Sequence, residues 1–223
     1  MKKIITKYII SILLIHLVQL NCYGHSVYFD ENKSSKIKIR FGEFQDEYEE
    51  SPGYLDSLDT ISAWKINDKN EPEILETEKQ MNGFSINAIN TDNIAAQTGF
   101  PIMSRQDQAR KPYFYARWCP SFKSKSTPSL TLDIVPNGKE GEINVFFRGK
   151  TLSGIKLKLY SPDYNEVELV SDKNGLVVFK DSLKSKGIYM LKIARYSEKV
   201  SGYDQGKLYE IISHNCSLSW NQK

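Results

Sequence analysis

The amino-acid sequence predicts an all-β protein made of two β-sandwich modules. Short segments in which apolar and polar residues alternate recur along the 223-residue chain, and turn residues separate them. Long amphipathic helical periods are not found in the sequence. In the second half the segments follow one another at the spacing that an immunoglobulin-like sandwich requires.

The first half contains three clear strand segments. They are residues 36–41, 84–89 and 113–118. Residues 91–111 are rich in Asn, Gln and Asp, and we expect a long loop there. Residues 121–128 are polar and form the best linker, so we place a domain boundary there. It divides the chain into an N-terminal β-rich domain, 25–124, and a C-terminal immunoglobulin-like sandwich, 125–223.

The second half contains six short strand segments separated by turn residues such as Asn-Gly at 137–138 and 174–175. The segments are residues 130–135, 143–148, 155–160, 166–170, 177–180 and 189–195. A last strand, 208–220, alternates with a period of two, which places His214 and Cys216 on its apolar face and Ser213 on the other.

The first residues of the chain have the pattern of a signal peptide, which we assign to residues 1–24. Lys2, Lys3 and Lys7 precede a mostly apolar run from Tyr8 to Leu20, which is too short to cross a bilayer comfortably. We therefore expect an exported protein, periplasmic or secreted. Cleavage after Gly24 would leave His25 as the new N-terminus. The alternative is a lipoprotein anchored through an acylated Cys22.

Charge and cysteine content limit the function classes further. The formal net charge of +3 equals the charge of the three leader lysines, so the mature chain has no excess of basic residues. We therefore expect no nucleic-acid partner. After cleavage Cys119 and Cys216 remain, and export favours a disulfide between them. The alternative is that both thiolates bind a soft metal ion.

The two histidines of the mature chain, His25 and His214, are the main metal-ligand candidates. An N-terminal histidine offers its α-amine and ring Nδ1 to one metal, and a second imidazole would complete a set of three nitrogens, a histidine brace. Such a nitrogen-rich set favours Cu(II), although Ni(II) accepts similar ligands. The alternative for His214 is a core histidine whose ring is satisfied by a hydrogen bond to the protein.

Several segments together resemble a known family. Residues 25–29 read His-Ser-Val-Tyr-Phe, residues 132–136 read Leu-Asp-Ile-Val-Pro, and residues 147–154 read Phe-Arg-Gly-Lys-Thr-Leu-Ser-Gly. With Ser-His at 213–214, these features resemble an exported family of unknown function found beside nickel and cobalt uptake transporters and formerly described as a nickel-transport component. The same turns are similar to those of transthyretin-like sandwiches.

The resemblance implies a metal-binding role for His25 and His214, nickel or cobalt as the metal, and a membrane metal transporter as a partner. Where the family has a Gly-His step after the next strand, this chain has Gly42-Glu43. Glu43 thus replaces a family histidine, and its carboxylate could still bind or orient a ligand.

The sequence contains no nucleophile elbow, P-loop, dinucleotide fingerprint or zinc-protease helix, so we do not expect an enzyme. The acidic residues Asp46, Glu47, Glu49 and Glu50 are expected to form a solvated loop. We expect an exported protein that binds copper, nickel or cobalt in uptake, delivery or sequestration. The alternatives are a copper-dependent oxidative enzyme and a metal-free surface lipoprotein or adhesion scaffold.

Overall fold

The computed structural model describes residues 24–67, 69, 71–105, 108–123 and 125–223. The predicted signal peptide up to residue 23, with Cys22, lies outside the described residues. The regular secondary structure of the described chain is almost entirely β-strand, with two short 3₁₀ helices at Tyr54–Ser57 and Lys180–Ser182, which confirms the predicted all-β class. No helix in the described ranges is long and apolar enough to span a membrane.

The strands number nineteen within this part of the chain. The first nine are β1 Ser26–Glu31, β2 Lys36–Gly42, β3 Ser62–Ile66, β4 Pro72–Leu75, β5 Thr77–Gln80, β6 Gly83–Ile89, β7 Ile94–Gly99, β8 Met103–Arg105 and β9 Gln108–Trp118. The remaining ten are β10 Leu132–Pro136, β11 Glu142–Phe147, β12 Lys150–Thr151, β13 Lys156–Tyr160, β14 Glu166–Val170, β15 Leu176–Val178, β16 Gly187–Glu198, β17 Gly202–Asp204, β18 Lys207–Tyr209 and β19 Ile211–Gln222.

The largest sheet, here called the central sheet, has nine strands in the order β14-β13-β16-β19-β9-β7-β3-β4, with β8 added beside β9. Its neighbours are antiparallel except for β19 and β9, which run parallel. A first outer sheet has the order β1-β2-β6-β5, and a second outer sheet contains β10, β11, β12 and β15. Strands β17 and β18 form a separate hairpin.

Each outer sheet packs on a different face of the central sheet. Phe114 of β9 belongs to a core cluster that includes Val27 of the first outer sheet. Its neighbour Tyr115 belongs to a second cluster that includes Ile134 of the second outer sheet. Because adjacent residues of a strand point to opposite faces, the central sheet is a middle layer with hydrophobic packing on both sides.

The central sheet contains strands from both sides of the boundary predicted at residue 124. Strand β19 pairs with β9 along nine residues, from Ile211 opposite Arg110 to Ser219 opposite Trp118. A fully buried ion pair of 2.7 Å also joins Arg117 of β9 to Asp133 of β10. The two predicted modules therefore share one sheet, and the domain boundary and the immunoglobulin-like detail of the second module stay predictions.

The prediction of a long loop at residues 91–111 was wrong, because β7, β8 and the start of β9 lie there. Strand β7 is an interior strand between β3 and β9, and Ile94, Ala95 and Ala96 are all buried. A strand covered on both faces does not alternate between apolar and polar residues. The short apolar run of β7 does not alternate and has polar residues on both sides, so the sequence does not show the pattern by which the other strands were predicted.

Candidate functional site

His25 lies immediately before β1, and its ring is held between a carboxylate and two aromatic rings. Its Nε2 atom makes a short hydrogen bond to Oε1 of Glu49. The ring centroid lies 5.4 Å from that of Phe41 and 5.5 Å from that of Tyr54. The His25 side chain is 36% exposed and that of Glu49 is 27% exposed, so the pair is accessible from solvent.

Glu49 reaches His25 because the chain after β2 turns back on itself. The Glu49 N–H donates a 2.8 Å hydrogen bond to the carbonyl of Phe41. Gly42 has φ +146°, and a Cβ atom at this position would lie 2.3 Å from the Glu47 carbonyl oxygen. Only glycine permits this close approach of backbone to backbone. The local fold after β2 thus places Glu49 beside the ring of His25.

The hydrogen bond to Glu49 determines which ring nitrogen of His25 remains available. A carboxylate accepts, so Nε2 carries the proton that is donated to Glu49, and in the neutral imidazole Nδ1 then keeps its lone pair. Nδ1 is the nitrogen that lies within chelating reach of the residue's own α-nitrogen. Metal-bound histidines commonly have their other ring nitrogen bonded to a carboxylate in this way.

His25 also lines a small cavity, here called the aromatic cavity, of about 180 Å³. Its other lining residues are Gly24, Phe41, Tyr54, Phe100, Met103, Gln108, Arg110, Pro112, Phe114, Arg195, Ser213 and Asn215. The aromatic rings of Phe41, Tyr54, Phe100 and Phe114 contact one another at centroid distances of 5.3–6.3 Å. The cavity therefore has an aromatic wall and a rim with two arginines.

His214 has a different environment, in which both ring nitrogens have partners. Tyr115 Oη lies 3.0 Å from Nδ1, and Glu198 Oε2 lies 3.0 Å from Nε2. The rings of Tyr113 and Tyr115 lie nearly parallel to that of His214, and Phe147 meets it edge-on. Burial lowers the pKa of His214 below its ordinary value, against the opposing effect of Glu198. The ring is therefore a neutral, hydrogen-bonded core histidine.

The structure does not bring His25 and His214 together, so the three-nitrogen set expected from the sequence is not assembled. Ser213 and Asn215 of β19 line the aromatic cavity beside His25, whereas His214 lines a separate cavity of about 450 Å³. Alternate side chains of a strand point to opposite faces. The hydroxyl of Ser217 also donates a 2.7 Å hydrogen bond to Val27, which places β1 on the face opposite His214.

The disulfide expected between Cys119 and Cys216 is not present, and both cysteines are free and buried. The parallel register sets Cys216 opposite Tyr115, four residues before Cys119. At about 3.3 Å per residue this offset is about 13 Å along the strand, beyond the roughly 7 Å Cα separation that a disulfide tolerates. The thiolate-ligand alternative lacks support too, because burial raises the pKa of Cys119 to about 12 and that of Cys216 well above its ordinary value.

Glu43 does not occupy the place beside His25. Its backbone N–H closes the turn by bonding to the Glu47 carbonyl, and its carboxylate interacts electrostatically with the ammonium group of Lys192. Burial lowers the pKa of Lys192 to about 8, and Glu43 opposes that shift. The acid at His25 is Glu49, which we had expected in a solvated loop. The contact joins residues 24 positions apart through a folded turn, so no local sequence signal indicates it.

No three side chains of His, Cys, Asp or Glu converge on a possible metal position within the described ranges. The donor set predicted at His25 is of another kind, since one of its two nitrogens is the α-amine that the predicted cleavage after Gly24 would create.

Comparison with protein-family models gives no match, and comparison with curated proteins gives none either. The resemblance to the nickel- and cobalt-associated exported family therefore stays a prediction, and a function is proposed below from the geometry of the site.

Proposed function

We propose that the mature, exported protein binds a transition-metal ion through the α-amine and Nδ1 of His25, with Glu49 holding the ring in place. The single observation that carries the proposal is the hydrogen bond from Nε2 to Glu49, because it leaves Nδ1 as the free nitrogen. In this role the protein takes part in metal uptake, delivery or sequestration, with a membrane metal transporter as its partner.

The chemistry of the two nitrogens favours Cu(II), with Ni(II) and Co(II) as weaker competitors. An α-amine and an imidazole Nδ1 on one residue close a six-membered chelate ring around the metal. Nitrogen ligands suit copper, and copper forms the most stable complexes of the divalent first-row series. An ordinary α-amine has a pKa of about 7.7–8.0, so losing its proton to a metal near neutral pH costs little free energy.

His214 does not take part in the proposed site. Its two nitrogens bond to Tyr115 and Glu198, and its ring faces the other side of the central sheet. The chelate therefore needs only His25 as a protein ligand, and this separates the proposal from a three-nitrogen brace.

The test compares Cu(II) titrations, by calorimetry, of a protein that begins at His25 and of the same protein with one serine added before His25. The added residue converts the α-amine into an amide, and we expect affinity to fall more than tenfold, at least about 1.4 kcal/mol. His214→Ala serves as the matched control and should bind Cu(II) with unchanged affinity. The intact mass of the exported protein shows whether cleavage falls between Gly24 and His25.

Unchanged affinity in the extended protein would contradict the proposal. A loss of Cu(II) affinity in folded His214→Ala would instead favour the three-nitrogen brace. A reductant-driven peroxide assay with the copper-loaded protein separates the binding role from the alternative of a copper-dependent oxidative enzyme.

A further inference from the structure

Two arginines at the rim of the aromatic cavity have no acidic partner within the described part of the chain. Arg110 of β9 and Arg195 of β16 both line the cavity, and neither guanidinium forms an ion pair or hydrogen bond with a described residue. Other arginines of the protein do have such partners, for example Arg117 with Asp133 and Arg148 with Glu198. Two guanidiniums without a partner among the described residues are therefore a feature of this cavity.

The backbone at Arg195 is also unusual. Its φ is +59°, a left-handed conformation that is unfavourable for any residue with a side chain. The pairing of β16 with β19 shifts register between Ile193 and Tyr196, which indicates a β-bulge at this position. Asn215 stabilises the bulge by accepting a 3.0 Å hydrogen bond from the Arg195 N–H. Bulges of this kind redirect a side chain, and they are common beside functional sites.

A second cavity of about 310 Å³ adjoins the aromatic one, and Gly24, Arg195 and Asn215 line both. Three lysines, Lys156, Lys158 and Lys192, line this second cavity together with one acid, Glu168. Lys158 pairs with Glu166, and the nearly buried Lys192 donates a short hydrogen bond to the Gly24 carbonyl. Lysines and the acids Glu166 and Glu168 therefore lie on one side of Arg195, and aromatic rings lie on the other.

We propose that the aromatic cavity binds a small aryl carboxylate, with its ring against Phe41, Tyr54 and Phe114 and its carboxylate on Arg110 and Arg195. Guanidinium groups match the planar geometry of a carboxylate and bind it through paired hydrogen bonds. The cavity, at about 180 Å³, is smaller than the roughly 300–1,000 Å³ typical of drug-sized ligands. It therefore suits a single aromatic ring with one anionic group.

The proposed carboxylate site does not require the metal ion proposed to bind at His25. The cavity and both arginines are in place in the chain that still carries Gly24, and neither guanidinium is a metal ligand. Anion binding is therefore measured with EDTA present, and metal binding is measured without the anion. The two proposals can fail separately.

The experiment titrates 4-methylbenzoate, with 4-methylbenzamide as its neutral isostere, into the protein that begins at His25, in EDTA. We expect the carboxylate to bind at least tenfold more tightly than the amide. Arg110→Gln and Arg195→Gln should each weaken carboxylate binding at least tenfold, and both should weaken amide binding much less. Arg195→Lys keeps the charge and should retain part of the affinity.

Arg148→Gln is the control, because Arg148 is an arginine beside a different cavity and should not affect binding. Thermal unfolding of each variant checks that the fold is intact. Equal affinity for the carboxylate and the amide would overturn the inference. So would unchanged carboxylate binding in folded Arg110→Gln/Arg195→Gln, or no carboxylate binding at millimolar concentration.

Discussion

The imidazoles of His25 and His214 lie on opposite faces of the central sheet, yet each directs its Nε2 atom at a glutamate. They differ at Nδ1, which bonds to Tyr115 in His214 and has no protein partner among the described residues in His25. They also differ in exposure, since the side chain of His214 is 4% exposed and that of His25 is 36% exposed.

The comparison shows that the surroundings, and not the residue type, decide whether a histidine can serve as a ligand. A buried imidazole with both nitrogens bonded has no lone pair to offer without breaking a hydrogen bond, and breaking it leaves a buried polar group unsatisfied. A half-exposed imidazole with one bonded nitrogen keeps the other available. His214 therefore stabilises the fold, and His25 is available for binding.

The largest expected effect is on stability, at His214. His214→Ala removes a buried ring from between Tyr113, Tyr115 and Phe147, and with it the hydrogen bond between that ring and the Tyr115 hydroxyl. We expect the free energy of unfolding to fall by about 3 kcal/mol, measured by urea denaturation. A loss below about 1 kcal/mol would show that the aromatic surroundings repack without cost.

The next largest effect is on metal affinity, at Glu49, whose carboxylate binds His25 on the side of the central sheet opposite His214. Glu49→Gln keeps the size of the side chain but removes its charge, so it fixes the His25 ring less strongly. We expect Cu(II) affinity to fall by about 10–100-fold, as for other carboxylates that orient a metal-bound histidine. Calorimetry measures the change, and Glu43→Gln is the matched control because it removes the same charge from an acid that acts on Lys192.

A smaller effect is the pH dependence that His214 contributes. Burial lowers its pKa in the folded state below 6.5, the value expected when unfolded. The stability from neutral His214 is therefore fully present above about pH 6.5 and is lost as pH falls through the folded-state pKa. His214→Gln should thus lose less stability than the wild type between about pH 7.5 and about pH 5.5. Urea denaturation at both pH values measures it, and an equal loss in both proteins would contradict the prediction.

The smallest effect is on stability at His25. Because its side chain is 36% exposed, His25→Ala should change the free energy of unfolding by less than about 1 kcal/mol. The same variant should lose Cu(II) affinity. A large destabilisation by His25→Ala would remove the contrast between the two histidines.

The sequence predicted three of the nine strands β1–β9, most of the strands β10–β19, and the site only in part. Alternating segments such as β2 and β6 were recognised because one side of each pattern is apolar. The interior strand β7 was missed because its residues are buried on both faces. His25 was identified from its position after the predicted leader, but Glu49 was not, because their contact depends on a turn that closes through Gly42.

The sequence by itself determined the all-β class and the alternation that separates Ser213 and Asn215 from His214 along β19. It could not determine which layer covers each face of that strand, because that depends on contacts between residues far apart in the chain. The tertiary structure places β1 and His25 on the face of Ser213 and Asn215, and the second outer sheet on the face of His214. Packing of the layers thus buries one histidine among aromatic rings and leaves the other beside an open cavity.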